Sequence, residues 1–234
     1  MIYFDDLPLS KDIKQALMEL KIDYVFQPIY HPDGKTVFAR EALMRPLEMT
    51  VTELIEEYEK AGKLHVLEVA TFFGATQKYV LRSYKELISI NSFPCEIFSR
   101  EEVETFIGYY GEEDHAMIIE CLEYPEFSEK MSRIKRQYAD LHKNLIAIDD
   151  YGAGFNDIHI VDIVNPDIVK IDRALLSGVD HDEYKQANCQ AIIETMHNRN
   201  QLVVAEGIET EEEFEYMKYL GADLFQGYYL AMPG

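Results

Sequence analysis

Eight short apolar runs, separated along most of the chain by stretches of helical period, constrain this sequence more than any other feature. The runs fall at residues 24–27, 36–41, 87–91, 116–120, 145–149, 168–171, 202–206 and 223–225. Between them, residues 52–60, 66–87, 101–109, 126–142, 182–200 and 211–220 place apolar side chains at helical spacing opposite charged faces. Such alternation predicts a parallel sheet with crossover helices. Eight strands in 234 residues favour an α/β fold closed into a (β/α)8 barrel, with a doubly wound open sheet as the competitor. One link is too short for a crossover. His31-Pro32-Asp33-Gly34-Lys35 has the length of a hairpin turn, so the first strand is expected to run antiparallel to the second. Residues 1–22, with Ile13, Ala16, Leu17 and Leu20 at helical spacing, read as a leading amphipathic helix that plugs the barrel floor or meets a partner. No linker-like composition divides this helix from residues 23–234, so a single domain is expected. Thr210 and Glu213 have capping-box spacing before the last helix, and Gly221 suits its end.

Charge and cysteine content narrow the partners. Lys and Arg number 22 against 43 Asp and Glu, a net charge of −21, which argues against a broad basic face tracking a nucleic-acid polymer but leaves room for a small anion held by metals or a few cations. Cys95, Cys121 and Cys189 are too few and too scattered for a disulfide framework or a CxxC metal site, so a reducing cytoplasm is expected. Cys121 reads as a small buried residue. The N-terminus has no basic and apolar leader, and no apolar run reaches membrane-spanning length.

The ends of the candidate strands carry the chemistry. Glu41, Asn91, Glu120, Asp149 with Asp150, Glu206 and Gln226 each close an apolar run, and Lys170 lies late in the sixth. In a barrel these meet at the carboxyl-terminal rim, where such folds place their active sites. Taken singly, an acidic residue after a strand reads more readily as a helix cap or solvated loop residue; the joint pattern points elsewhere. Five carboxylates in a partly enclosed mouth cannot all stay charged without compensation. Hard oxygen ligands favour Mg²⁺ or Mn²⁺ over Zn²⁺, and two such ions, about 3.5–4 Å apart, suit in-line phosphodiester hydrolysis. HExxH, GxSxG and P-loop motifs are absent, and Gly152-Ala153-Gly154 reads as a flexible loop rather than a dinucleotide cradle.

Glu41-Ala42-Leu43 followed by Met44-Arg45 resembles the signature of the EAL domains, bacterial phosphodiesterases that hydrolyse the second messenger cyclic di-GMP. Blocks in the same order extend the resemblance over residues 11–233: Gln27-Pro28-Ile29, Ile90-Asn91, Ile119-Glu120-Cys121-Leu122-Glu123, Asp149-Asp150-Tyr151-Gly152-Ala153-Gly154-Phe155, Lys170-Ile171-Asp172-Arg173, Val204-Ala205-Glu206-Gly207-Ile208-Glu209-Thr210 and Gln226-Gly227-Tyr228. The resemblance implies a TIM-like barrel with one antiparallel strand and opening of cyclic di-GMP to linear pGpG with two Mg²⁺ or Mn²⁺ ions. By position, Glu41, Asn91, Glu120 and Asp149 would bind one metal, and Asp149, Asp150 and Glu206 the second. Lys170 and Glu206 would hold or deprotonate the attacking water. Gln27, Arg45 and the backbone near Leu43 would contact the ligand, Gln226 would complete the site, and Glu123 would brace the loop after the two aspartates. A homodimer and a sensor or cyclase domain outside this chain are further implications, as is a longer parent protein, because the chain ends at Pro233-Gly234 short of the family's usual tail.

The sequence departs from the family in several places. Tyr151-Gly-Ala-Gly-Phe-Asn-Asp157 stands where Phe-Gly-Thr-Gly-Tyr-Ser-Ser is frequent, losing a hydroxyl at Ala153 and altering Asn156 and Asp157. Pro46 replaces a frequent Trp, Phe93 a common Ser, and Cys121-Leu122 the usual Ile/Leu-Thr. The leading expectation is an active phosphodiesterase. Its alternatives are a catalytically weak or inactive receptor or protein-interaction module, favoured by the altered loop, and a two-metal hydrolase of another phosphodiester.

Overall fold

In a computed structural model, which describes residues 7–110, 116–152, 154 and 156–234, eight strands close into one barrel in the order β1 to β8. The strands are β1 (Ile22–Tyr30), β2 (Val37–Pro46), β3 (Leu87–Ser92), β4 (Met117–Cys121), β5 (Leu145–Tyr151), β6 (Ile168–Ile171), β7 (Leu202–Ala205) and β8 (Leu224–Phe225). β1 is antiparallel to both neighbours, β2 and β8, and all other pairs are parallel. The hairpin inference is therefore borne out. Its turn closes through His31 N–H to the Thr36 carbonyl at 2.9 Å, while the Asp33 carboxylate accepts from the Lys35 and Thr36 amides at 2.9 and 2.8 Å.

The helices are α1 (Lys11–Glu19), α2 (Val51–Lys60), α3 (Leu64–Leu81), α4 (Arg100–Tyr110), α5 (Glu129–His142), α6 (Ile158–Val164), α7 (Arg173–Leu176), α8 (Glu183–His197) and α9 (Glu211–Leu220). The expected helix 66–87 stops at Leu81, because Ser83 turns into the left-handed region at φ 59° and frees Tyr84–Glu86 to lead into β3. α6 and α7 are short turns on Asx caps at Asp157 and Asp172, too brief to register as periodicity. α1 packs on the flank of α3, with Leu7, Leu9 and Ile13 against Val69 and Phe73, rather than across the barrel floor. At α9, Thr210 caps as expected, but the Glu213 carboxylate accepts from the Glu209 and Gly178 amides instead of closing the reciprocal box. No described helix is long and apolar enough to cross a membrane.

The barrel interior is layered by the period-two alternation of its strands. Ile29, Ala39, Ile118, Ala147, Ile168, Val204 and Leu224 form a buried apolar layer inside it. Two residues beyond six of these, in the direction of the parallel strands, stand Glu41, Glu120, Asp149, Lys170, Glu206 and Gln226. One step of pleat thus separates dry packing from the polar mouth. Between barrel wall and helices lie two further apolar clusters, one centred on β5 to β8 with α8 and α9, the other on β1 to β4 with α3.

The turn after β8 allows no side chain at Gly227: a Cβ there would fall on the backbone nitrogen and carbonyl of Ile208. Gly227→Ala is expected to destabilise the chain by about 2–3 kcal/mol. Gly108→Ala on α4, where a Cβ meets nothing within 4 Å, should be neutral or stabilise by up to ~1 kcal/mol. Urea unfolding midpoints of the two variants measure the contrast.

Candidate active site

At the carboxyl-terminal mouth a single lysine sits among carboxylates. Lys170, on β6 and 1% exposed, places its Nζ 3.2 Å from Glu41, 3.1 Å from Asp149 and 3.3 Å from Glu206, and in direct contact with Glu120. Burial opposes the charge on this ammonium, but Asp149, Glu120, Glu206 and Glu41 outweigh it and hold the lysine protonated far above its ordinary range. Glu41 is the most fully engaged acceptor. Beyond Lys170, it receives Gln226 Nε2 at 2.7 Å and Asn91 Nδ2 at 3.2 Å. Glu120, fully buried, also accepts from the Ser89 hydroxyl at 2.6 Å.

A second subset lies beside the first. Asp149, Asp150 and Glu206 each present an oxygen within 4.8 Å of the others'. Asp150 reaches this position by adopting φ 50°, a left-handed backbone that Asp tolerates better than most residues and that characteristically marks strained functional turns. Burial pushes the Asp150 carboxyl up to about 7, with Asp149 and the facing Asp172 adding to the shift. Burial likewise raises Glu206 to about 8, against Lys170 and with Asp149 and Glu41. Glu120 is driven up by burial and then by Glu41. Five carboxylates share one ammonium, so the group lacks positive charge.

The donor set fits hard divalent cations. Glu206 Oε2, Asn91 Oδ1 and Gln226 Oε1 are buried oxygens with no hydrogen-bond partner among the described residues, an expense that native proteins seldom tolerate without a ligand, water or ion. All candidate ligands are carboxylate or amide oxygens, the chemistry preferred by Mg²⁺ and Mn²⁺.

The other sequence-predicted residues fall around this centre. Gln27 pairs in register with Glu41 across β1 and β2, and its Nε2 donates to the Ala231 carbonyl at 3.2 Å. Leu43 and Arg45 continue the Glu41 face of β2 outward by alternation. Arg45 is exposed, its guanidinium donating to the Met44 carbonyl at 2.9 Å, and does not join the central cluster. Glu123 accepts from the Asn156 amide at 3.0 Å, and a Cβ on Gly154 would lie 2.5 Å from its carboxylate, so a side chain there would push that carboxylate aside. Ala153, where a family hydroxyl is lost, lies outside the described residues. Sequence reasoning missed Ser89, Asp172 and the Asn156 side chain, which donates to the Asp149 carbonyl at 2.6 Å. Ser89 was within reach, since it lies two residues before Asn91 on one strand and so shares its face.

Residues 10–233 match the EAL domain family, and the chain belongs to that family. The blue light- and temperature-regulated antirepressor BluF of Escherichia coli K12 is 27% identical over 213 residues, covering 87% of this chain and 52% of that protein. The cyclic di-GMP phosphodiesterase TpdA of Vibrio parahaemolyticus is 27% identical over 211 residues, covering 87% of this chain and 35% of that protein. The chain thus spans about half or less of the length of these curated relatives. Among solved structures, a standalone versatile EAL protein from Vibrio cholerae O395 in its c-di-GMP bound form superposes with a TM-score of 0.80 at 25% identity, covering 92% of this chain and 93% of that one. Klebsiella pneumoniae BlrP1, in a manganese and cyclic di-GMP complex, shares the fold with a TM-score of 0.77 at 23% identity, covering 92% of this chain and 56% of that one.

Two outcomes follow from the electrostatics. Asp150 and Glu206 bind protons more tightly folded than unfolded, where their values are 3.8 and 4.5. Metal-free protein should therefore lose stability as pH rises from about 4 through about 8 on their account, which urea titrations in EDTA across that range would measure. Lys170→Met should destabilise metal-free protein by about 3–5 kcal/mol at pH 7.5, by stranding buried carboxylates, and by clearly less at pH 5. Equal losses at the two pH values would contradict the charge account.

Proposed function

We propose that this chain is a divalent-metal-dependent phosphodiesterase that opens cyclic di-GMP to linear pGpG. The observation that carries the reading is the convergence of Asp149, Asp150 and Glu206, with unsatisfied buried oxygens, next to a lysine held protonated by its neighbours. Asp149, Asp150 and Glu206 would hold one Mg²⁺ or Mn²⁺ ion, and Glu41, Asn91 and Glu120 together with Asp149 the other. When bound, such ions supply Lewis acidity, a lowered pKa for bound water and charge neutralisation at a phosphodiester.

The roles of this chain's own residues follow from their states. Lys170, as an ammonium, is a hydrogen-bond donor and not a base; it orients the attacking water or steadies charge on the phosphoryl oxygens. Glu206, whose Oε2 has no donor among the described residues, is the acceptor for the water's proton. Gln226 and Asn91 hold Glu41 in place. Gln27, the backbone near Leu43 and Arg45, ranged along β1 and the outer end of β2, would bind the dinucleotide, with Arg45 free to swing toward a phosphate. Glu123, through the Asn156 amide, would brace the loop that follows Asp149 and Asp150. A cytoplasmic setting, a homodimer and regulatory domains outside residues 1–234 belong to the same proposal.

A second reading, a receptor or protein-interaction module without turnover, is favoured by the similarity to an antirepressor over most of this chain. One assay separates the two. Incubation with cyclic di-GMP and Mn²⁺ or Mg²⁺ should yield pGpG, EDTA should abolish the product, and Glu41→Ala or Glu206→Gln should lower kcat more than about 100-fold. Saturable binding without any linear product would replace the enzyme by the receptor.

A further inference from the structure

A buried ion pair on the outer wall of the barrel has no part in the chemistry proposed at the mouth. Glu68 on α3 and Lys135 on α5 are 2% and 5% exposed, with Lys135 Nζ 3.7 Å from the Glu68 carboxylate. α3 buries Leu67, Val69, Ala70 and Phe73 around Glu68, and α5 buries Ala139 one turn beyond Lys135. In many folds an apolar pair of similar volume covers such a wall with no loss of stability. The reason to keep charges there lies in what they bond.

Both reach the same two residues, Ser92 and Phe93, which directly follow the candidate ligand Asn91. The Glu68 carboxylate accepts from the Ser92 hydroxyl at 2.5 Å and, through its other oxygen, from the Phe93 amide at 3.0 Å. Lys135 donates to Ser92 Oγ at 2.5 Å and to the Phe93 carbonyl at 2.7 Å. The hydroxyl of one residue and both backbone groups of the next are thus tied to two helices. The Phe93 ring lies among Leu54, Leu64 and Leu67, but such contacts are non-directional and fix the end of a strand less sharply than four hydrogen bonds do.

Asn91 needs sharp placement. Its Nδ2 donates to Glu41 at 3.2 Å, while its Oδ1 is buried with no partner among the described residues. One planar amide must serve both Glu41 and an ion, a fit that tolerates displacements of only about 0.5 Å. We infer that Glu68 and Lys135 are positioning residues: by clamping Ser92 and Phe93 they set the height at which β3 ends, and so hold the Asn91 amide oxygen where a metal is bound. Ser92 points to the opposite side of β3 from Asn91, so the pair acts through the backbone. The inference rests on the proposed reading of Asn91 as a metal ligand.

The test is calorimetric titration of the full chain with Mn²⁺, without nucleotide, in a double-mutant cycle. Glu68→Leu/Lys135→Met removes both charges together and strands neither. It should weaken Mn²⁺ at least about fivefold, below the roughly 10–100-fold loss typical when a side chain bonded directly to a ligand is removed. In an Asn91→Ala background the same two substitutions should cost less than about twofold, because their effect passes through the missing amide. If the paired variant does not fold, Ser92→Ala, which deletes the hydroxyl shared by both charges, takes its place, with an expected loss of at least about threefold that again vanishes without Asn91. Unchanged affinity, or equal losses with and without Asn91, would overturn the inference and leave the phosphodiesterase reading intact. A chain that shows the predicted cycle but forms no pGpG would leave the inference standing and overturn that reading; failure of wild-type protein to bind Mn²⁺ would overturn both.

Discussion

Everything at the mouth of this barrel depends on one buried ammonium. Lys170 enters the interior on a four-residue strand, IVKI, whose other three members are buried and apolar, and a lysine so placed is tolerated only with partners. It has four, drawn from β2, β4, β5 and the end of β7. These contacts join strands far apart in sequence, so the lysine fixes the relative height of the strand ends as well as their charge. The arrangement remains incomplete: Asp150 adds a fifth carboxylate, and the group as a whole repels itself. A cluster that is costly when metal-free and satisfied by divalent cations is how a fold stores affinity for them.

The layering below it explains why such charge can be gathered without unfolding the barrel. The apolar layer of Ile29, Ala39, Ile118, Ala147, Ile168, Val204 and Leu224 seals the interior, and the pleat lifts the next inward side chain by one step into the polar mouth. The antiparallel first strand contributes from the other direction. Because β1 enters from the mouth end, Gln27 sits opposite Glu41, and the hairpin carries the chain back through the signature residues toward Arg45. The end of β5 is the other departure from regular geometry. There Asp150 takes a left-handed conformation, and Asn156 closes the loop that follows back onto Asp149.

Much of this was legible in the sequence because it is periodic. Eight apolar runs, an undersized first connection and polar residues at matching strand ends specify the barrel, its reversed strand and its acidic rim, and the family match places the chain where those residues point. What escaped was set by contacts between segments or by very short elements. α6 and α7 span seven and four residues, less than the window in which helical period registers. Helix α3 ends where Ser83 adopts positive φ, a choice that no apolar pattern announces. The position of α1 against α3 depends on the complementary surface of Val69 and Phe73, which an amphipathic helix read alone does not reveal. Lys170 could be flagged as a lysine in an apolar strand, but the identities and distances of its four carboxylates are properties of barrel closure.

The central claim is that the mouth is completed by divalent cations rather than by Lys170 alone. Its most direct test is the equilibrium affinity for a cleavage-resistant phosphorothioate analogue of cyclic di-GMP, measured with Mn²⁺ and again in EDTA. With five carboxylates against one ammonium, the affinity should fall at least about tenfold when the metal is removed. Equal affinity under the two conditions would mean that the ligand is held without neutralisation of the acidic cluster, and would contradict the account.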